Sequence, residues 1–335
     1  MSAPGAVILD PLGPRLSAEE RAFFRAVDPF GFILFARNIE DAAQLRALCA
    51  ELRDCVGRDA PITIDQEGGR VQRLHPPLAH DWPPALDQIE RAGQDAGVAM
   101  YLRARIIAHD LRVLGIDSNC APLADVIGPR THPFLRNRCY GDAPGQVALL
   151  ARAVADGLMA GGVLPVLKHI PGHGRAVVDS HETLPMVDAE AETLQQVDFA
   201  PFRALSDLPM AMTAHVVYRA LDDLPATLSP VVMALIRDDI GFDGLIMSDD
   251  ISMKALSGAP ADLGRAALAA GCDVVLHCNG ALDEKRAVAA AAGRLSGAAL
   301  RRAEAVIAAR HTPDDVDISA LTAQLETLGN GRRHG

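Results

Sequence analysis

Carboxylates, imidazoles and cations recur at five points of this 335-residue chain, four of them directly after a short apolar run. Ile62–Ile64 leads into Asp65-Gln66-Glu67-Gly68-Gly69-Arg70, with Arg73 close behind. A later stretch carries Arg136, Asn137, Arg138 and Tyr140. Leu164–Leu167 leads into Lys168-His169-Ile170-Pro171-Gly172-His173-Gly174 and then Asp179-Ser180-His181. Another run ends at His215, and Leu245–Met247 passes into Ser248-Asp249-Asp250. Carboxylates serve as nucleophiles or bases, and imidazole, with an ordinary pKa of about 6.5, moves protons near neutral pH. Asp179 and His181 alternate, so in extended backbone both face one side, where a carboxylate orients an imidazole and favours its charged form. An exposed turn is the competing reading of that spacing.

Such groups meet only if the runs before them lie parallel. Eight β-rich runs are expected as strands: Ala6–Asp10, Gly31–Phe35, Ile62–Asp65, Ser118–Pro122, Leu164–His169, Met210–His215, Leu245–Ser248 and Val274–His277. Amphipathic helical patterns alternate with them, at Ser17–Val27, Ala42–Val56, Ala85–Leu114, Pro144–Ala160, Pro230–Ile240 and Pro260–Ala270. Ser17 and Glu20 have capping-box spacing, and Pro144, Pro230 and Pro260 suit first helical turns. Alternating β and α units imply a parallel sheet, and eight in this length imply an α/β (β/α)₈ barrel of TIM type, whose sites collect at the C-terminal strand ends. One catalytic barrel over residues 1–328 is expected, with 329–335 as a frayed tail. The first strand is followed by DPLGPR, not GxGxxG, and no GxxxxGK phosphate loop occurs.

The loop IPGHGRAVVDSHETLP is long for such a connection, which marks it as functional or disordered, and Gly172 and Gly174 are candidate hinges. Of Asp249 and Asp250, strand alternation lets at most one face the barrel mouth; helix capping is the other use of such an Asp. His169, His173 and His181 raise a competing reading, a metal-dependent barrel hydrolase. Pro171, Gly172 and Gly174 argue against helical presentation of the first two as ligands, and HETLP is not HExxH. No metal and no cofactor are expected.

Composition narrows the partners. The chain is 49% hydrophobic, 22% charged and only 4% aromatic, so its core rests on Ala, Leu, Val and Ile. A net charge of −11 lacks the clustered cations that nucleic acid or an anionic membrane surface requires. No segment approaches the ~18 apolar residues of a membrane span. Asp10 interrupts the first apolar run, so no secretory leader is read, and six scattered cysteines without CxxC pairs read as buried thiols. A cytoplasmic monomer is expected.

LKHIPGHGRAVVDSH resembles the KH(F/I)PGHG…DSH signature of the bacterial β-N-acetylglucosaminidases of glycoside hydrolase family 3. IDQEGGRVQRL is similar to that group's DQEGGRVQR segment, IMSDDISM to its SDDLSM segment, and ILDPLGPRLSAEERAFF…GFILFARNIEDAAQLRAL to its start. The resemblance spans from about Val7 to past Asp250. It implies Asp249 as nucleophile, His181 as acid/base and Asp179 as its partner. It also implies Asp65, Arg73, Arg138, Lys168 and His169 as ligands of one N-acetylglucosamine unit, with Arg136 a rival to Arg138. Ile170 and Ile251 replace the usual Phe and Leu and keep apolar character. The implied activity is retaining exo-hydrolysis of GlcNAc from cytoplasmic GlcNAc–1,6-anhydroMurNAc peptides, a small carbohydrate substrate of cell-wall recycling.

Overall fold

The apolar runs become the staves of a barrel. In the computed structural model, which describes residues 3–180 and 182–330, β1 (Gly5–Leu9), β2 (Pro29–Leu34), β3 (Ile62–Ile64), β4 (Ser118–Asn119), β5 (Leu164–Ile170), β6 (Met210–Thr213), β7 (Leu245–Met247) and β8 (Val275–His277) form one parallel sheet. Its order is β7-β6-β5-β4-β3-β2-β1-β8. A parallel bridge between Met247 and Val274 then joins β7 to β8 and nearly closes the circle.

Every residue of these strands is buried, as parallel strands covered on both faces require. Alternation sorts the side chains. Ala6, Ile8, Phe30, Ile33, Val166, Met210, Met212, Leu245, Met247 and Leu276 pack together inside the barrel. Their strand neighbours Val7, Leu9, Leu167, Ala211, Ile246 and Val275 pack outward against the helices. Aliphatic side chains and methionines fill most of this interior and Phe30 is the one aromatic among those ten, consistent with the aromatic-poor sequence.

Helices cover the outside: α1 (Ala18–Val27), α2 (Ala42–Val56), α3 (Ala96–Val113), α4 (Pro144–Ala160), α5 (Ala200–Ala204), α6 (Pro230–Asp238), α7 (Pro260–Ala270) and α8 (Leu282–Ala292). Ser17 and Glu20 close the expected capping box on α1. Two helical expectations need correction. The segment read as one helix over Ala85–Leu114 is a helix at Ala85–Ala92, a 3₁₀ turn, and then α3. Gly93 ends the first piece because its φ of +57° leaves the helical region. The β5–β6 crossover, where no helix is expected, is helical in pieces: Ala191–Thr193, a π-turn at Leu194–Asp198, and α5. Each is too short for helical periodicity to show. Helices Gly297–Ala308 and Ile318–Asn330 end the described chain; the second runs through 329 and 330, where a frayed tail is expected, and the rest of that tail, 331–335, lies outside the described residues. The six cysteines are buried and unpaired. Among the described residues, no helix is long and apolar enough to cross a membrane.

Candidate active site

The strand ends do converge. A cavity of about 600 Å³ opens at the C-terminal rim, floored by the apolar Ile33, Met212, Leu276 and Cys278 from the barrel interior. Asp65, Arg73, Arg138, Lys168, His169, Asp179, Asp249 and Asp250 all line it. His181 lies outside the described residues; the other seven expected site residues are brought together, with Asp250 beside them. Arg136 is exposed and lines a separate cleft with Ile89, Tyr140 and Gln146, whereas Arg138 lines the cavity.

One wall is an ion-pair cluster built on the turn after β3. The Gln66 side chain accepts hydrogen bonds from the Arg73 and Leu74 amides at 2.9 and 3.0 Å, which folds the turn back. Asn119 of β4 pins Gln66 by exchanging two 3.0 Å bonds with its backbone. Asp65 then pairs with Arg73 at 3.0 Å and with Lys168 at 3.2 Å. Behind it, Glu67 receives Lys168 at 2.6 Å and both Nε and Nη2 of Arg138 at 3.0 and 2.8 Å. Burial alone would raise both carboxyls. Lys168 and Arg73 outweigh it and hold Asp65 well below the usual carboxylate range, while Arg138 and Lys168 bring Glu67 down to about 2. Burial likewise works against the Lys168 ammonium, but Glu67 and Asp65 raise its pKa above the usual lysine value. Asp65, Glu67, Arg138 and Lys168 are therefore ionised at neutral pH and fixed in place.

The second wall holds the imidazoles. Lys168 and His169 are consecutive, yet both line the cavity, because β5 shifts register against β6 between Lys168 and Ile170. Asp125, three residues beyond the expected fourth strand, accepts from His169 Nδ1 at 2.8 Å and from the His173 amide at 2.6 Å. Burial would raise the Asp125 pKa; the His169 ring outweighs it and lowers it. The His173 ring lies 5.4 Å from that of His169, and burial together with His169 lowers its pKa to about 4. A neutral second ring is what lets two imidazoles abut. At Gly174 a Cβ would sit 1.8 Å from the Val126 carbonyl oxygen, so the position is closed to any side chain. Of the three histidines in the metal-dependent reading, His181 is undescribed. Among the described residues no group of His, Cys, Asp and Glu is arranged to hold a metal ion.

Opposite stands the pair after β7. Both Asp249 and Asp250 line the cavity, against the expectation of one. The strand ends at Met247, two residues earlier, so alternation does not govern them. Their carboxylates differ in duty. Asp250 accepts from the Ser252 amide and hydroxyl at 3.0 and 2.7 Å, the Cys278 amide at 3.1 Å and Asn279 Nδ2 at 3.4 Å. Burial raises its pKa, and the bonds from Ser252 temper the rise. Asp249 accepts the Asp250 amide at 2.8 Å through Oδ1. Sequence reasoning assigned nothing to Glu67 or Asp125. Glu67 sits inside the DQEGGR run; Asp125 carries no local signal beyond its position after a strand.

A carboxylate- and cation-lined cavity at the C-terminal rim of a (β/α)₈ barrel defines a barrel enzyme with a site for a small polar molecule. The family follows from comparison. The model for the glycosyl hydrolase family 3 N-terminal domain matches residues 9–310, and this chain belongs to that family. A β-hexosaminidase of Methylococcus capsulatus is 38% identical over 277 residues, 81% of this chain and 82% of the relative. One from Pseudomonas aeruginosa is 37% identical over 290 residues, 85% and 86% of the two chains. The crystal structure of NagZ from Neisseria gonorrhoeae in complex with N-trifluoroacetyl-D-glucosamine matches with a TM-score of 0.85 at 32% identity, covering 98% of each chain.

Proposed function

We propose that this chain is a retaining exo-β-N-acetylglucosaminidase that removes one non-reducing GlcNAc through a covalent intermediate on Asp249. The observation that carries the reading is the cavity itself: ion-paired Asp65, Arg73, Arg138 and Lys168 on one wall, and Asp249 among the lining groups with Asp250 held by Ser252. The β-hexosaminidase names of the relatives support the same class of reaction.

Retention requires two displacements. Asp249 attacks the anomeric carbon while the bond to the departing oxygen breaks, and His181 gives that oxygen its proton. Water then attacks the glycosyl-Asp249 ester; His181 takes the water's proton and Asp249 leaves as a carboxylate. Imidazole suits both steps because its pKa lies near working pH. Asp179, a cavity residue, orients the ring and stabilises its charged form. Asp65 accepts from sugar hydroxyls, and Lys168, Arg73 and Arg138 donate to the sugar, with His169 beside them. No cofactor takes part. The substrate we propose is the GlcNAc–1,6-anhydroMurNAc peptide of cell-wall recycling, met in the cytoplasm by a monomer whose barrel spans residues 1–328.

Two measurements test the chemistry. Asp179→Asn and His181→Ala should each slow turnover strongly, and the double variant should be no slower than the worse single, since residues acting as a unit are non-additive. Independent, additive losses would dissolve the dyad. In the second, chromogenic β-glucosaminides with graded N-acyl groups are assayed beside a thiazoline that mimics a cyclised acetamide. Weak thiazoline inhibition is expected, because Asp249 supplies the nucleophile. Strong inhibition, or rates that track acetamide nucleophilicity, would transfer that role to the substrate.

A further inference from the structure

His215, Thr213 and Thr227 are fully buried, and none of them lines the cavity. Thr213 closes β6, His215 follows it by two residues, and Thr227 sits on the short turn Ala226–Leu228. β6 pairs in register with β7, Met212 against Met247, so its end lies alongside the segment that carries Asp249.

The polar atoms of the three residues connect. Asp249 N–H donates to Thr213 Oγ1 at 3.3 Å. Thr213 and Thr227 hydroxyls are 2.8 Å apart, and Thr227 Oγ1 is 2.7 Å from His215 Nδ1. His215 Nε2 lies 3.0 Å from the carbonyl oxygen of Asp250. With His215 as a neutral ring, proton count sets the direction. A carbonyl only accepts, so Nε2 carries a proton, and in the neutral ring Nδ1 is then an acceptor. Thr227 has one hydroxyl proton and gives it to Nδ1, in preference to the Ala214 carbonyl 3.2 Å away. Its oxygen is left to accept from Thr213, and Thr213's oxygen to accept from Asp249 N–H. The chain starts on the amide of Asp249 and ends on the carbonyl of Asp250.

We infer that this Thr213–Thr227–His215 relay is a positioning device for the nucleophile, holding the Asp249–Asp250 backbone against β6 without touching the sugar. It rests on the reading of Asp249 as nucleophile. Covalent attack demands near-contact geometry, and a displacement of about 1 Å costs roughly 10²-fold. The relay therefore acts on the chemical steps and not on sugar binding.

The test uses Thr213→Val and Thr227→Val, which keep shape and lose the hydroxyl, with Thr213→Ser and Thr227→Ser restoring it. On a chromogenic β-GlcNAc glycoside, each Val variant should lose about 10–100-fold in kcat with KM changed far less, and each Ser variant should recover most of the loss. Trapping with a fluorinated slow substrate should slow by the same factor while the label stays on Asp249. In the isotope-labelled wild-type protein, the nitrogen shifts of His215 should report the proton on Nε2, an observation independent of whether any variant folds. Full kcat in the Val variants, Ser variants as poor as Val, a loss confined to KM, or a proton on Nδ1 alone would each overturn the relay. Failure of the underlying reading looks different: the wild-type enzyme itself would then carry no label on Asp249.

Discussion

Asp249→Ala should fold normally and lose turnover by on the order of 10⁴-fold or more, the scale at which a member of a covalent catalytic unit fails. Its fold should survive because Asp249 is half-buried at the cavity edge and belongs to no part of the apolar core. Its activity should not, because the neighbouring carboxylate is no substitute. Asp250 is held by the Ser252 amide and hydroxyl, by Cys278 and by Asn279, and turning it toward a sugar would break that whole set. Peptide mapping after trapping with a fluorinated slow substrate should find the sugar on Asp249 and none on Asp250. Azide supplied to Asp249→Ala gives a second readout: a small anion entering the vacated space attacks once, from the face opposite the leaving group, and the product is the inverted α-glycosyl azide. Label on Asp250, or a β-azide, would move the nucleophile elsewhere.

The strands were legible because parallel strands covered on both faces are nearly continuous apolar runs, and ITI, MAMT and LIM can hardly be anything else in a chain of this pattern. Residues that end those runs were legible for the same reason: Asp65 after β3, Lys168 within β5 and Asp249 just past β7 declare their positions through the strand before them. What could not be read depends on closure of the barrel. Glu67 meets Arg138 from 71 residues away, and Lys168 reaches Asp65 across 103, so no local window contains either pair. Gly93 illustrates the opposite failure. The apolar period runs through it, and only its backbone conformation, absent from any hydrophobic pattern, breaks the helix. Asp249 and Asp250 show where a rule was applied one step too far, since strand alternation stops where the strand does.

Glu67→Gln tests whether the wall behind the sugar site is held by charge. The substitution keeps the shape and removes the anion that pairs with both buried cations, Arg138 and Lys168. Removing one partner of a buried ionic network costs about 3–5 kcal/mol, chiefly because the remaining charges stay buried and uncompensated. The pH dependence separates this from simple packing loss. In the folded protein burial would raise the Glu67 pKa, but Arg138 and Lys168 outweigh it and bring it from an ordinary 4.5 to about 2. A pKa depressed by folding contributes stability in full above the unfolded value and loses it as the pH falls through the folded one. The advantage of wild type over Glu67→Gln should thus be complete at pH 7, begin to shrink near 4.5 and be largely gone by about 2. Asp65 titrates in both proteins, so its own contribution falls out of the difference to first order. Urea unfolding midpoints of the two proteins at pH 7, 5 and 3 make the comparison. A gap that stays constant from pH 7 to 3, or no gap at pH 7, would mean that Glu67 fills space and that the cations are held by something other than its charge.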